Sequence, residues 1–104
     1  MKVIRDISDD IEKELDMAEH YIALAFLYAV DFPDAAKNYY NLSTARMTDI
    51  LSLHNKVVDI INTYKNKNGE PPADMLAVYK YLHQKHIEHN AKILKLQEEY
   101  KAGF

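Results

Sequence analysis

Met47-Thr-Asp-Ile50-Leu-Ser-Leu-His54-Asn-Lys-Val57-Val-Asp-Ile-Ile61-Asn-Thr-Tyr64 and Met75-Leu-Ala-Val-Tyr79-Lys-Tyr-Leu82-His-Gln-Lys-His86-Ile-Glu-His89-Asn-Ala-Lys-Ile93 flank the segment Asn68-Gly69-Glu70-Pro71-Pro72. In the first run Met47, Ile50, His54, Val57, Ile61 and Tyr64 alternate spacings of three and four, and the pattern extends back through Ser43 and Tyr40. In the second, Met75, Tyr79, Leu82, His86, His89 and Ile93 nearly do the same, continuing to Leu96 and Tyr100. Such spacing is the heptad seam of helices packed at a shallow angle. Folded back about Asn68-Gly69, residues whose numbers add to about 140 should face one another. That rule pairs Tyr64 with Met75, Ile61 with Tyr79, Val57 with Leu82, His54 with His86, Ile50 with His89 and Met47 with Ile93.

Upstream, Asp9-x-x-Glu12 has the spacing of a capping box and places the start of a first helix near residue 8. The stripe Ile4, Ile7, Ile11, Leu15, Ala18, Ile22, Ala25 and Ala29 lies along that helix, which Asp31-Phe32-Pro33-Asp34 ends near Val30. The expected fold is all-α: a single domain over 1–104, an antiparallel three-helix bundle with helices at about 8–30, 34–66 and 73–101. Two glycines and three prolines, with 48% apolar and 28% charged residues, fit a helical domain better than a turn-rich β fold or disorder.

The net charge of -3, with lysines spread along the helices, gives no footprint for nucleic acid. Absence of cysteine rules out disulfides, thiolate metal sites and a cysteine nucleophile. Met1-Lys2-Val3-Ile4-Arg5-Asp6 does not read as a secretory signal, and a cytoplasmic location is expected. Ser43, Thr44, Thr48 and Ser52 lie inside a helix without an oxyanion donor, and no glycine-rich loop precedes a helix. No enzyme is expected.

His54, His86 and His89 fall in adjacent core layers by the pairing rule, with Glu12 and Asp16 of helix 1 at a similar height beside Leu15 and Glu19. Imidazoles and carboxylates projecting inward from facing helices are how bundles hold iron, manganese or zinc. The commoner use of seam histidines is neutral packing against tyrosines, carboxylates or carbonyls. Buried imidazoles sharing a layer also resist protonation, so acid should loosen the bundle. His83 and His20 read as surface residues.

Tyr21-Ile-Ala-Leu-Ala-Phe-Leu-Tyr-Ala-Val30 carries no charge on any helix face, yet its ten residues are about half a membrane span. No membrane insertion is expected. Either the chain folds over this stretch, or a second copy covers Tyr21, Leu24, Leu27 and Tyr28 in a symmetric homo-oligomer.

The run from Tyr40 to Val58, Gly69-Glu-Pro-Pro-Ala-Asp-Met-Leu-Ala-Val-Tyr79 and Tyr81-Leu-His-Gln-Lys-His-Ile-Glu88 resembles small ferritin-like helical proteins encoded by phages and prophages of Gram-positive bacteria. The likeness spans about Ile11 to Lys101. It implies a ferritin-like half-bundle in the cytoplasm of a bacterial host. It also implies that a Glu-x-x-His metal motif would fall on helix 2, where this chain has Arg46 and Asp49. A guanidinium repels a metal ion, so Asp16 and Asp49 are expected to clamp Arg46 in an ionic cluster filling the place of the ion. Two functions follow: a non-catalytic protein, without cofactor, associating with its own copies or with a phage or host protein; and a metal-binding protein using the core histidines with Glu12 and Asp16.

Overall fold

The computed structural model describes residues 2–104. It contains three helices, α1 (Lys2–Tyr28), α2 (Pro33–Asn68) and α3 (Ala73–Gly103), and no strand among the described residues. They lie side by side in an elongated molecule of 56 × 19 × 17 Å.

Heptad spacing organises each helix. In α1 the buried residues Ile4, Ser8, Ile11, Leu15, Ala18, Ile22 and Ala25 alternate steps of four and three. In α2, Ala36, Ser43, Ile50 and Val57 recur every seventh position and bury one narrow edge. Small residues set the closest approach: Ala18, Ala25, Ala36 and Ser43 are fully buried, letting α1 and α2 lie against each other along most of their length. Three apolar clusters stack along this line. Ile4, Val57 and Ile61 form one end, Ile11, Leu15, Ala18, Ile50 and Ile93 the middle, and Ile22, Ala25, Ala29, Ala36 and Tyr100 the other end.

α3 is held differently. Its buried residues are Ile93, Gln97 and Tyr100, all in its last third. It touches α1 over a shorter span than α2 does, and α2 least. Where α2 and α3 meet, Tyr40 stacks on Tyr100 at 5.0 Å, Gln97 bonds Ser43 at 2.9 Å, Met47 packs on the middle cluster that holds Ile93, and Tyr79 packs on the Val57–Ile61 cluster.

The helix limits differ from the expected ones mainly at the amino terminus. α1 begins at Lys2, not near residue 8, because Ile4 and Ser8 already sit on the buried stripe; burial there outweighs the local signal of Asp9-x-x-Glu12. At its other end α1 stops at Tyr28, and residues 29–31 form a turn in which the Phe32 amide reaches the Tyr28 carbonyl at 2.9 Å. Pro33 then opens α2. α2 and α3 each run two residues past their expected ends. Gly69 closes α2 with φ 80° and ψ -161°, a conformation open to glycine almost alone, and its amide bonds the Lys65 carbonyl at 3.0 Å.

Candidate functional site

Two constellations flank α3, one facing α1 and one facing α2. Toward α1, Glu12, Asp16 and Glu19 recur on one helical face, opposite His86, His89 and Lys92 on α3. The His86 Nε2 lies 3.5 Å from Glu12 Oε2, His89 Nε2 is 2.5 Å from Glu19 Oε2, and Lys92 Nζ donates to Glu19 Oε1 at 2.8 Å. One ligand atom each from Glu12, Asp16 and His89 falls within 4.8 Å of the others. The Lys92 and His89 hydrogen bonds hold the Glu19 carboxyl below its ordinary value, against the opposing effect of burial. Burial pushes the His86 imidazole down, with the Glu12 carboxylate acting in the other direction. Chemically the array is a ladder of carboxylates against nitrogen groups that docks α3 on α1, with Lys92 on Glu19 as its fixed ion pair. Its Glu12–Asp16–His89 corner is also an oxygen and nitrogen donor set of the type that manganese, iron and zinc accept.

Toward α2, a groove of about 340 Å³ opens between the helices. Its floor is Ile11 and Ile50, and its walls include Met47, Leu51, His54, His83, Ile87 and Leu94. The His54 and His83 rings stack at 4.8 Å, and Tyr79 continues the stack on His83 at 5.6 Å. Burial, with the neighbouring His54 second, lowers the pKa of His83. Not one groove-lining residue is an Asp, Glu, Lys or Arg.

The expected histidine layer is thus divided. His54 stacks on His83 instead of pairing ring to ring with His86, while His86 and His89 turn to the carboxylates of α1, and Ile50 joins Ile93 in the middle cluster. A two-helix seam assigns one face of α3 to α2. With α1 present, that face is shared, and the carboxylates draw the two imidazoles toward themselves. His83, expected at the surface, becomes a groove residue.

Arg46 is paired by Glu14 at 3.4 Å and Asp49 at 3.7 Å, so the expected clamp from Asp16 is corrected to Glu14. Glu14 and Asp16 point to different sides of α1, two residues apart on a helix with 3.6 residues per turn. Asp16 instead joins Glu12 and His89. The Arg46 Nε is buried without a hydrogen-bond partner among the described residues.

Of the four residues expected at a helix 1 interface, only Leu27 is well exposed, at 66%. Tyr21 and Tyr28 both stack on Tyr39 of α2, and Leu24 is half-buried. Phe26 is met edge-on by Tyr100 and Phe104. The chain itself covers much of this apolar stretch, using aromatic rings from the start of α2 and the end of α3.

Sequence reasoning missed Glu14, His83, Lys92 and Gln97. A signal for the α1–α3 ladder was present: Glu12 with His86, Glu19 with Lys92 and Glu19 with His89 differ by similar amounts in residue number, and each joins a carboxylate to a nitrogen group. Among the described residues no helix is long and apolar enough to cross a membrane. No family model, curated protein or solved structure matches the chain.

Proposed function

We propose that this chain is a non-catalytic helical module, of the kind carried by phages and prophages, that acts in the cytoplasm by burying an apolar helical surface against another protein. Its three helices are read as an antiparallel bundle equivalent to half of a ferritin-like one. The opposed order of the α2–α3 contacts supports that reading, from Tyr40 on Tyr100 at one end to Tyr79 on the Val57–Ile61 cluster at the other. The observation that carries the association is the groove between α2 and α3. Leu51, Ile87 and Leu94 stand 59%, 47% and 41% exposed around it, with no fixed charge in its lining. Contiguous apolar surface of this kind marks interaction sites in soluble proteins.

Sedimentation of the purified chain from micromolar to millimolar concentration, together with lysine cross-linking in the cells that produce it, tests the reading. Associated species are expected in at least one of the two. A monomer at every concentration that also yields no cross-linked product in cells overturns it.

A second reading has its own observation. The convergence of Glu12, Asp16 and His89 within 4.8 Å supports a site for iron, manganese or zinc, with His86 on Glu12 and Glu19 on His89 as orienting contacts. A cation bound only by the folded chain raises its melting temperature by mass action. If the site is used, one of the three metals should shift the melt by several degrees, and Asp16→Asn, an exposed change, should remove the shift. Unchanged melting with all three metals, and metal-free protein by elemental analysis, disposes of this reading.

A further inference from the structure

The outward face of α3 carries a second heptad seam, distinct from the one it packs inward. Lys80, Gln84, Ile87, Ala91, Leu94 and Glu98 alternate steps of four and three, and all are exposed. About Ala91 the pattern reads the same in both directions: polar, large apolar, small, large apolar, polar. An isologous contact about a two-fold axis brings a surface against itself reversed, and this order complements itself under that operation.

We infer that the occupant of the α2–α3 groove is a second copy of this chain, its α3 lying antiparallel to the first with the two-fold axis passing beside Ala91. The inference rests on the association reading above and names its partner. In that register Ile87 meets Leu94 of the second copy, twice, and Ala91 meets its own counterpart, where the short side chain lets the two backbones approach. Leu51 and Met47 of α2 form the wall on which the incoming helix rests.

Charge is complementary in the same register. Glu88 and Lys95 hold equivalent flanking positions one heptad apart, both exposed, and the two-fold sets Glu88 of each copy beside Lys95 of the other. Glu88 already takes the Gln84 amide on Oε1 at 3.1 Å, a contact that fixes its carboxylate on this flank. On the groove side the lining holds only imidazoles as titratable groups, His54, His83 and His86, so no fixed like charges are pressed together across the axis. A parallel arrangement would place the two Glu88–Lys95 flanks on opposite sides of the contact and lose this pairing.

The chain has no cysteine, which makes a single added thiol informative. Ala91→Cys should give a disulfide-linked dimer on mild oxidation, since thiols at the axis come within the separation a disulfide spans, whereas Ser52→Cys, on the exposed side of α2, should stay unlinked. In sedimentation of the full chain, Ile87→Glu should weaken the dimer on the order of a hundredfold while circular dichroism shows the helices retained. Leu94→Glu should act alike if either variant folds poorly. Glu88→Lys should weaken it about threefold to tenfold, and adding Lys95→Glu should restore it.

A dimer indifferent to Ile87→Glu and Leu94→Glu, or a charge swap without rescue, overturns this assignment and leaves the association reading standing. A monomeric wild-type chain overturns the second copy as occupant. The broader reading then stands or falls on cross-linking in cells.

Discussion

Ser43 shows how much one buried hydroxyl does. It is fully buried, donates to the Ala18 carbonyl at 2.7 Å and accepts from Gln97 Nε2 at 2.9 Å, so a single oxygen joins all three helices. The Ala18 carbonyl belongs to a continuous helix and already serves its own ladder, so the group most exposed to loss is the Gln97 amide. Ser43→Ala keeps the small volume that α1 needs but leaves that amide buried without an acceptor, at a cost of about 1–3 kcal/mol. Ser43→Ala together with Gln97→Leu should cost less than the two single changes added, because the apolar pair removes the unsatisfied donor along with its partner. Chemical denaturation of the four proteins checks this; additive losses would mean that the bond contributes nothing. Ser43 was legible in the sequence as a seam position, since its spacing from Ile50 and Val57 is that of the apolar residues around it. Gln97 was not. It stands four residues after Ile93 and three before Tyr100, in register with the buried residues, but Leu96 satisfies the same apolar pattern one position earlier and a glutamine does not register in it.

At the scale of elements, α1 and α2 were the most readable because each buries one heptad edge against the other, and two-body packing is what a periodic pattern encodes. α3 was less so. Whether His86 looks toward α2 or α1 depends on how far the helix is rotated once a third element is present, and adjacent seam and flank positions differ by only one step around the helix. The candidate groups were therefore found while their partners were exchanged: His83 for His86 beside His54, Glu14 for Asp16 beside Arg46. The resulting placement sets a pH dependence. His83 and His86 are held below their ordinary value of 6.5, chiefly by burial. The unfolded chain therefore takes up protons first as pH falls, and the stability present above about 6.5 is lost progressively down through the depressed folded values. His83 is faced by His54 and Tyr79, and His86 by Glu12, Lys85, His83 and His54; of these only Glu12 favours the charged form. Glu19, held below 4.5 by Lys92 and His89, adds a second loss at more acidic pH as its own carboxylate is protonated. Melting temperature should be level in the neutral range and decline in mild acid. His83→Phe, which keeps a ring in the stack and removes a proton site, should make the mild-acid decline shallower without altering the lower branch. A profile in His83→Phe superimposable on the wild type would exclude this origin.

For the whole molecule, shape and burial together imply unequal stability. The radius of gyration is 16.7 Å, against roughly 13 Å for a compact domain of about this length, so a larger share of each helix faces outward. α1 is buried at every turn from Ile4 to Ala25, whereas no residue of α3 before Ile93 is fully enclosed. Residues 73–92 rest on half-buried contacts such as Tyr79 and Leu82 and on the charge ladder to Glu12 and Glu19. Partly exposed ion pairs add little, each less than about 1 kcal/mol. Apolar burial alone thus cannot tie this part of α3 as firmly as its last third, where Ile93, Gln97 and Tyr100 join the other helices. Residues 73–92 should open below the free energy of global unfolding while α1 and most of α2 remain folded. Amide hydrogen exchange of the Ile87→Glu chain, kept monomeric, is expected to be at least about tenfold faster over Leu76–Glu88 than over Ile93–Tyr100. Under the proposed dimer, the difference in the wild type should narrow as protein concentration rises, because a second copy in the groove would brace the same half of the helix. Equal protection along α3 in the monomer would show that the charge ladder and half-buried contacts bind it into one cooperative unit, and the groove would then be a rigid feature rather than the looser edge of the molecule.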